Sequence, residues 1–401
     1  MPFDDALSIV ERTQQAFLHW RGTAVKERSA KMNKAAALLL ERKEQYATLI
    51  TEEMGKPIKQ ARAEIAKCAA ACEYYARYAE GMLAPQLVKT DARKSYVAFE
   101  PLGVVLAIMP WNFPFWQVFR FLAPALMAGN AAVLKHAPNV CGCALVMEEV
   151  IRDAGFPQDL FRVLIIDNDV AGSVIEYPVI KAVTLTGSTR AGKAVAAKAG
   201  SVLKKCVLEL GGSDPYIILK DADINSAVET CVTSRLINSG QSCVAAKRFI
   251  VVDALRDALH QQVEKSVKEG ARLLLGGKIP VDAGAYYPAT VLTDVAPGIT
   301  AYHEELFGPV ATIIPVKDDE QAIAVANDSI YGLGAAVFSK DIRRAEEIAR
   351  DKIEAGCCFV NDSVRSDPRL PFGGIKESGY GRELSSFGML EFMNIKTVYI
   401  K

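Results

Sequence analysis

The 401-residue sequence is poor in the features that build metal centres, disulfide frameworks and membrane spans. Its nine cysteines are scattered without a C-x-x-C pair: Cys141 and Cys143 are separated by one residue, and Cys357 and Cys358 are adjacent. There are only four histidines. A zinc site is therefore not expected, and reduced intracellular thiols fit better than disulfides. Neither charge is in excess, because 47 basic residues balance 47 acidic ones. Nothing electrostatic draws such a chain to nucleic acid or to an anionic membrane. The most apolar region, Phe113 to Leu134, is interrupted by Pro114, Gln117, Arg120, Pro124, Gly129 and Asn130, so it is not read as a membrane span. The first residues carry Asp4, Asp5, Glu11 and Arg12 where a signal peptide would be apolar, and a cytoplasmic protein is expected. Internal repeats and low-complexity segments are absent.

What is present is an ordinary globular composition, half of it apolar, at a length that calls for two or three domains. Residues 4 to 83 are helical in pattern, with almost no Pro or Gly before the stop signal Glu52-Glu53-Met54-Gly55-Lys56-Pro57. Ser95 to Glu100 alternates like an exposed or edge strand, and Val104 to Ile108 is a continuous apolar run like a buried parallel one. Strands at Ala131–Leu134, Phe161–Ile166, Ala182–Thr186, Cys206–Leu210 and Tyr216–Leu219 then alternate with helices, the rhythm of a doubly wound parallel sheet. A second α/β region follows, with strands expected at Phe249–Val252, Val310–Val316, Ala335–Phe338 and Cys358–Val360, and an extended tail at Lys396–Ile400.

Four stretches suggest chemistry. Cys243 follows a helix end and a turn at Gly240, among small residues (Gly240, Ser242, Ala245, Ala246) that leave room around its sulfur. The residues alone allow a nucleophile or a small buried hydrophobe there. Glu209, in Val207-Leu208-Glu209-Leu210-Gly211-Gly212, places a carboxylate in an apolar strand, where burial makes it a better base; a solvated sheet edge is the alternative. Asn112, in Pro110-Trp111-Asn112-Phe113-Pro114, ends a buried strand, where its amide can donate to an oxyanion or simply satisfy its own turn. Gly187-Ser188-Thr189 with Gly192 joins a strand to a helix, as a pyrophosphate site does, and as plain turns also do.

Taken together with Leu134-Lys135, Glu305 with Phe307-Gly308-Pro309, and Pro371-Phe372-Gly373-Gly374 with Lys376, Ser378 and Gly379, these stretches resemble the aldehyde dehydrogenase superfamily over nearly the whole chain. Asn112-Phe113-Pro114 with Trp116-Gln117, and Lys135-His136-Ala137-Pro138-Asn139, are similar to its bacterial succinate-semialdehyde dehydrogenase branch. The resemblance implies an α/β fold of two doubly wound domains and a β oligomerisation arm. Residues 1–82 and 106–211 would bind the cofactor, 212–382 would be catalytic, and 83–105 and 383–401 would form the arm of a homodimer or homotetramer. It also implies roles. Cys243 would be the nucleophile, Glu209 the base for the hydrolytic water, and Asn112 an oxyanion donor. Trp111, Lys135, Gly187, Ser188, Gly192, Glu305 and Phe307 would hold NAD or NADP. Arg120 and Ser366 would hold the carboxylate of a succinic semialdehyde substrate, Arg120 because a cation in so apolar a stretch needs an anionic partner; a salt bridge from Arg120 to an acid of the protein, fixing the helix, is the alternative.

The sequence departs from the family in three places. Pro138 stands where strongly NAD-selective members carry a Glu, so NADP is acceptable. Ile237 stands where some succinate-semialdehyde enzymes carry an Arg, with Arg235 two residues before it. Between Val252 and Gly270-Ala271-Arg272 the chain is shorter than its relatives. Other readings are a CoA-acylating enzyme, disfavoured by the presence of Glu209, a dehydrogenase of neutral aliphatic aldehydes, and a non-catalytic NAD-binding relative.

Overall fold

A computed structural model describes residues 1–246, 253–279 and 287–401. The chain divides into two compact units, Met1–Leu208 with Ser366–Phe372 and Gly381–Lys401, and Glu209–Arg365 with Gly373–Tyr380.

The first unit opens with four helices, α1 (Phe3–Trp20), α2 (Val25–Glu41), α3 (Lys43–Met54) and α4 (Ile58–Met82). Each buries one apolar stripe; in α1 it is Ala6, Ile9, Val10, Thr13 and Phe17, the three- and four-residue spacing of a helix face. Helix α3 stops at Gly55, which takes the left-handed conformation (φ +73°) and donates its N–H to Thr51 O. The chain then runs through β1 (Gln86–Leu87), β2 (Lys94–Pro101), β3 (Val104–Met109), α5 (Trp116–Met127), β4 (Ala131–His136), α6 (Cys141–Asp153), β5 (Phe161–Val163), α7 (Asn168–Glu176), β6 (Ile180–Thr186), α8 (Thr189–Ser201) and β7 (Lys205–Glu209). Strand order in this unit is β7-β6-β3-β4-β5, with β3 parallel to both β4 and β6. Flanked on both sides, β3 has no solvated face, which is why its sequence is unbroken Val-Val-Leu-Ala-Ile. The chain moves outward from β3 to β5 and then crosses back to β6. The switch point therefore lies beyond the C-terminal ends of β3 and β6, where doubly wound folds hold their ligands.

The second unit contains β8 (Tyr216–Ile218), α9 (Ile224–Leu236), α10 (Asp253–Lys268), β9 (Arg272–Leu275), β10 (Thr290–Thr293), α11 (Thr300–His303), β11 (Val310–Thr312), α12 (Asp319–Asn327), β12 (Tyr331–Gly332), β13 (Gly334–Phe338), α13 (Ile342–Asp351), β14 (Cys357–Val360), β15 (Ile375–Lys376) and β16 (Gly379–Tyr380). Strands β14, β13 and β8 form a parallel sheet over a core of Ile217, Leu219, Ala335, Val337, Ala345 and Ile348. The strand expected at Tyr216–Leu219 thus belongs to this sheet and does not extend the first one. Rhythm predicts that a strand forms, not which sheet it joins. The run expected to reach Val316 leaves its ladder after Thr312, ahead of Pro315, which has no N–H to donate. The strand expected at Phe249–Val252 lies outside the described residues.

The chain ends in the first unit with α14 (Ser385–Leu390) and β17 (Met393–Ile400). Strand β17 pairs antiparallel with β2 along its full length, from Met393 opposite Pro101 to Ile400 opposite Lys94. The two extended runs that look solitary in the sequence are therefore each other's partner. The resulting sheet, β1-β2-β17, leaves β17 as an edge strand. Among the described residues, no helix is long and apolar enough to cross a membrane.

Candidate active site

In the first unit the site begins where β3 ends. The segment Pro110 to Pro114 is held from three directions. Glu64 on α4 accepts the N–H groups of Phe115 and Trp116, both at 2.9 Å. These are orphan donors at the start of α5, and a carboxylate there satisfies both the hydrogen bonds and the helix dipole. Glu64 is itself paired with the buried ammonium of Lys56, which lies 3.9 Å from the centre of the Phe113 ring. His136, at the end of β4, lies between two backbone carbonyls, with Nε2 2.9 Å from Pro114 O and Nδ1 3.1 Å from Met109 O. Burial lowers the pKa of this imidazole. Within this frame Asn112 is only 4% exposed, and its carboxamide is hydrogen-bonded to that of Gln117 at 3.0 Å, which fixes its rotation.

The expected cofactor residues of this unit stand at the C-terminal ends of neighbouring strands. Lys135 is in β4, opposite Ile108 of β3. Its ammonium is largely buried and its pKa lowered by desolvation, and among the described residues it makes no ion pair with a carboxylate. Ser188 caps α8, accepting the Ala191 N–H (3.3 Å), and Gly192 N–H returns to Ser188 O (2.9 Å). Gly187 bridges β6 to this cap. A helix N-terminus at a switch point, with an ammonium without a carboxylate two strands away on β4 and Pro138 in place of an acid, fits a dinucleotide, including one with a 2′-phosphate.

In the second unit, α9 is followed by a buried turn in which Asn238, Ser239 and Gly240 all have positive φ (50°, 54° and 77°). Two consecutive non-glycine residues in that region store strain, which the structure holds through Asn238 Nδ2 to Gln241 O (3.1 Å) and Gln241 N to Asn238 O (3.0 Å). This turn presents Cys243, which is half-buried. Gly212 lies so close that a Cβ on it would stand 2.8 Å from Cys243 O. Gly211 likewise has no room for a Cβ, because the Glu305 carboxylate occupies that place, and Gly212 N–H donates to Glu305 Oε1 (3.3 Å). The Ser378 hydroxyl donates to Gly211 O (2.6 Å) while accepting Gly332 N–H (3.0 Å). Glu209, which precedes the glycine pair, is 2% exposed, so it is not on a solvated sheet edge. Phe307 is half-buried in the loop that carries Glu305. The structure thus brings Cys243, the Glu209-to-Gly212 segment and Glu305 together. Burial meanwhile raises the thiol pKa of Cys68, Cys72 and Cys143, which suits inert packing roles.

Arg120 was expected to meet an anion, either a substrate carboxylate or a protein acid. In the structure Arg120 (3% exposed) is ion-paired with Glu383 (2% exposed), donates to Thr186 Oγ1 (3.1 Å) and lies over the Phe372 ring. Burial raises the Glu383 pKa, and Arg120 opposes that shift. The pair ties α5 to the segment after β16. Removing one partner of such a pair costs about 3–5 kcal/mol. Arg120→Met should therefore lower the urea unfolding midpoint markedly. A midpoint equal to that of the parent protein, with selective loss of activity on a carboxylated aldehyde, would instead support the ligand role. Arg235 is also occupied, its guanidinium facing the carbonyls of Gly308 (3.5 Å) and Val310 (3.4 Å). Ser366, by contrast, accepts from Lys67 Nζ (2.8 Å) and Trp116 Nε1 (3.1 Å).

Sequence reasoning missed Glu64, Lys56, Lys67 and Gln117. The signal for Glu64 was available: it falls on the apolar stripe Ala61, Ile65, Cys68, Cys72 of α4, where a carboxylate must have buried partners. Among the described residues, no three His, Cys, Asp or Glu side chains cluster as metal ligands.

Comparison with known proteins identifies the family. The aldehyde dehydrogenase family model matches residues 3–261 and 253–398. The succinate semialdehyde dehydrogenase NAD(P)+ Sad of Escherichia coli K12 is 46% identical, covering 99% of this chain and 93% of that protein. That alignment runs over 431 residues against the 401 of this chain, so some of the relative's positions have no counterpart here. A probable succinate-semialdehyde dehydrogenase NADP(+) of Synechocystis is also 46% identical, over 98% of this chain and 94% of its own. The crystal structure of succinic semialdehyde dehydrogenase from Streptococcus pyogenes in complex with NADP+ superposes with a TM-score of 0.95 at 36% identity, covering 98% of this chain and 94% of that one. With a family model and relatives that match over nearly the whole chain, this chain belongs to the aldehyde dehydrogenase family.

Proposed function

We propose that this protein oxidises succinic semialdehyde to succinate with NAD or NADP. The observation that carries the reading is the seat of Cys243, which stands against Gly212 at the end of the segment that begins with the buried Glu209. The relatives named above supply the substrate.

In this reading Cys243 Sγ attacks the aldehyde carbon as thiolate. The carbonyl oxygen becomes an oxyanion, held by the Asn112 side-chain amide and the Cys243 backbone N–H. NAD(P)+, when bound, supplies the acceptor for the hydride that leaves this carbon. A thioester on Cys243 remains. Glu209 takes a proton from water as the water attacks the thioester, succinate departs, and the thiolate is restored. Lys135 and Ser188 hold the adenosine ribose and pyrophosphate, and Gly187 and Gly192 keep the backbone open to them. Trp111, Glu305 and Phe307 position the nicotinamide half. Residues 1–82 and 106–211 form the cofactor domain, 212–382 the catalytic domain, and 83–105 with 383–401 the arm.

NAD(P)H formation with succinic semialdehyde and with butanal, each with and without CoA, tests the reading. It expects a clear preference for succinic semialdehyde and no need for CoA. Preference for butanal would move the protein to the neutral-aldehyde class, and an absolute CoA requirement would remove Glu209 from its role.

The protein is further proposed to be a cytoplasmic homodimer or homotetramer without a nucleic-acid or membrane partner. The outer edge of β17 is eight residues long and carries exposed Ile395, Tyr399 and Ile400, an arrangement that pairs with another chain. Light scattering at micromolar concentration should give a multiple of the chain mass, and a monomeric mass would count against the arm.

A further inference from the structure

The start of α6 departs from the usual rule for a helix. The free N–H groups of a first turn are normally met by the side chain of the helix's own N-cap, a Ser, Thr, Asp or Asn. Here the N-cap is Val140, whose side chain has no oxygen. The cap comes from another helix. Glu53, in the last turn of α3, accepts the Gly142 N–H at Oε1 and the Cys143 N–H at Oε2, both at 2.8 Å. Bonds to an ionised acceptor are stronger than neutral ones, and the carboxylate also answers the helix dipole. The fit leaves no slack. A Cβ on Gly142 would stand 2.6 Å from Glu53 Oε1 and 3.3 Å from Leu49 Cδ1, so glycine is what lets α6 come this close to α3.

This clamp holds a short bridge. Four residues, Ala137 to Val140, connect the end of β4 to the first residue of α6. Val140 N–H donates back to Ala137 O (3.2 Å), and the Cys141 thiol donates to Pro138 O (3.3 Å). The bridge is thus bonded to itself and to the start of α6, and follows wherever that helix begins. Lys135 lies two residues before the bridge, and Cys141 acts electrostatically on its ammonium. The first turn of α6 therefore belongs to the surroundings of the group that the proposed reaction sets against the adenosine ribose.

We propose that Glu53 is a positioning residue for the adenosine half of NAD(P): by fixing the start of α6 it sets where the bridge stands beside Lys135. This deepens the proposed cofactor seat and rests on it. Glu53 acts through the bridge and not by touching the cofactor. Its action is also one-sided. The Asn112 segment is held by Glu64, which is paired with Lys56, so loss of the Glu53 carboxylate leaves the oxyanion side in place.

The test compares the full-length protein with Glu53→Ala, Glu53→Gln, Gly142→Ala and the double variant Glu53→Ala with Gly142→Ala. The probes are NADP+, adenosine 2′,5′-bisphosphate as its adenosine end alone, and nicotinamide mononucleotide as its other end. Glu53→Ala should weaken NADP+ and the adenosine bisphosphate about tenfold, the size of a lost bond to a charged acceptor, and leave the mononucleotide within about twofold. In turnover of succinic semialdehyde the loss should fall on KM for NADP+ and not on kcat. Glu53→Gln keeps one accepting oxygen and should lose less. Gly142→Ala should reproduce the loss in the parent protein, because its methyl group takes the place of Oε1. In the Glu53→Ala background it should add little, because that place is empty. Equal weakening of all the probes in Glu53→Ala, or of none, overturns the inference and leaves the cofactor reading intact. A full further loss from Gly142→Ala in the Glu53→Ala background overturns it as well. If the parent binds the mononucleotide but not the adenosine bisphosphate, the adenosine seat at Lys135 is wrong and the inference falls with it. Should Glu53→Ala not fold, the ratio of adenosine bisphosphate to mononucleotide affinity in Glu53→Gln and Gly142→Ala decides the question in the same way: a fall supports the inference, and an unchanged ratio overturns it.

Discussion

Cys243→Ala should yield a folded protein that binds NAD(P)+ and forms no NAD(P)H from any aldehyde. The reaction proposed for this chain passes through a covalent bond to sulfur, and alanine offers no atom to form it. The loss should be about 10⁴-fold or greater, as for other enzymes stripped of their nucleophile. Folding should survive. Cys243 is half-buried in a turn, and the groups that hold the turn, Asn238 and Gln241, are untouched. Cofactor binding should survive as well, because Lys135 and the Ser188 cap belong to the first unit. Fluorescence titration with NADPH, run beside the aldehyde assay, separates the two quantities. Turnover comparable to that of the parent protein would remove Cys243 from the chemistry and leave its strained turn without a function.

Glu209→Gln should stop the reaction halfway. The amide keeps the shape of the carboxylate but cannot take a proton from water at neutral pH. The first half, from aldehyde to thioester, does not use Glu209. Rapid mixing should therefore show a burst of about one NAD(P)H per active site, followed by turnover slowed by about 10²–10⁴-fold, the usual contribution of a general base. An unchanged steady-state rate would mean that another group activates the water. A variant with no burst would place Glu209 before the hydride step instead.

The residues around these two positions show what a sequence discloses and what it withholds. The doubly wound unit was legible because each signal was local. The apolar run at β3, the Gly55 stop and the helix start at Ser188 each follow from neighbours in the chain. The need for glycine at position 212 comes from a distant segment, because a Cβ there would meet Cys243 O. The partner of Arg120 was not legible. Glu383 lies far along the chain, and hydrophobic pattern carries no record of which buried charges meet. The same holds for Glu64, whose carboxylate caps α5 across a gap of about fifty residues. Strand partners were hidden for a similar reason. The alternating run at β2 announces an edge strand, but only tertiary structure shows that β17 covers it.

The central claim is that the aldehyde carbon becomes bonded to Cys243 and is released from it with the help of Glu209. The most direct measurement is the mass of the Glu209→Gln protein after mixing with NADP+ and succinic semialdehyde, followed by peptide mapping. The account predicts a gain equal to one succinyl group, on the peptide that contains Cys243. An unmodified protein that has nevertheless produced NADPH, or a succinyl group on any other cysteine, would contradict it.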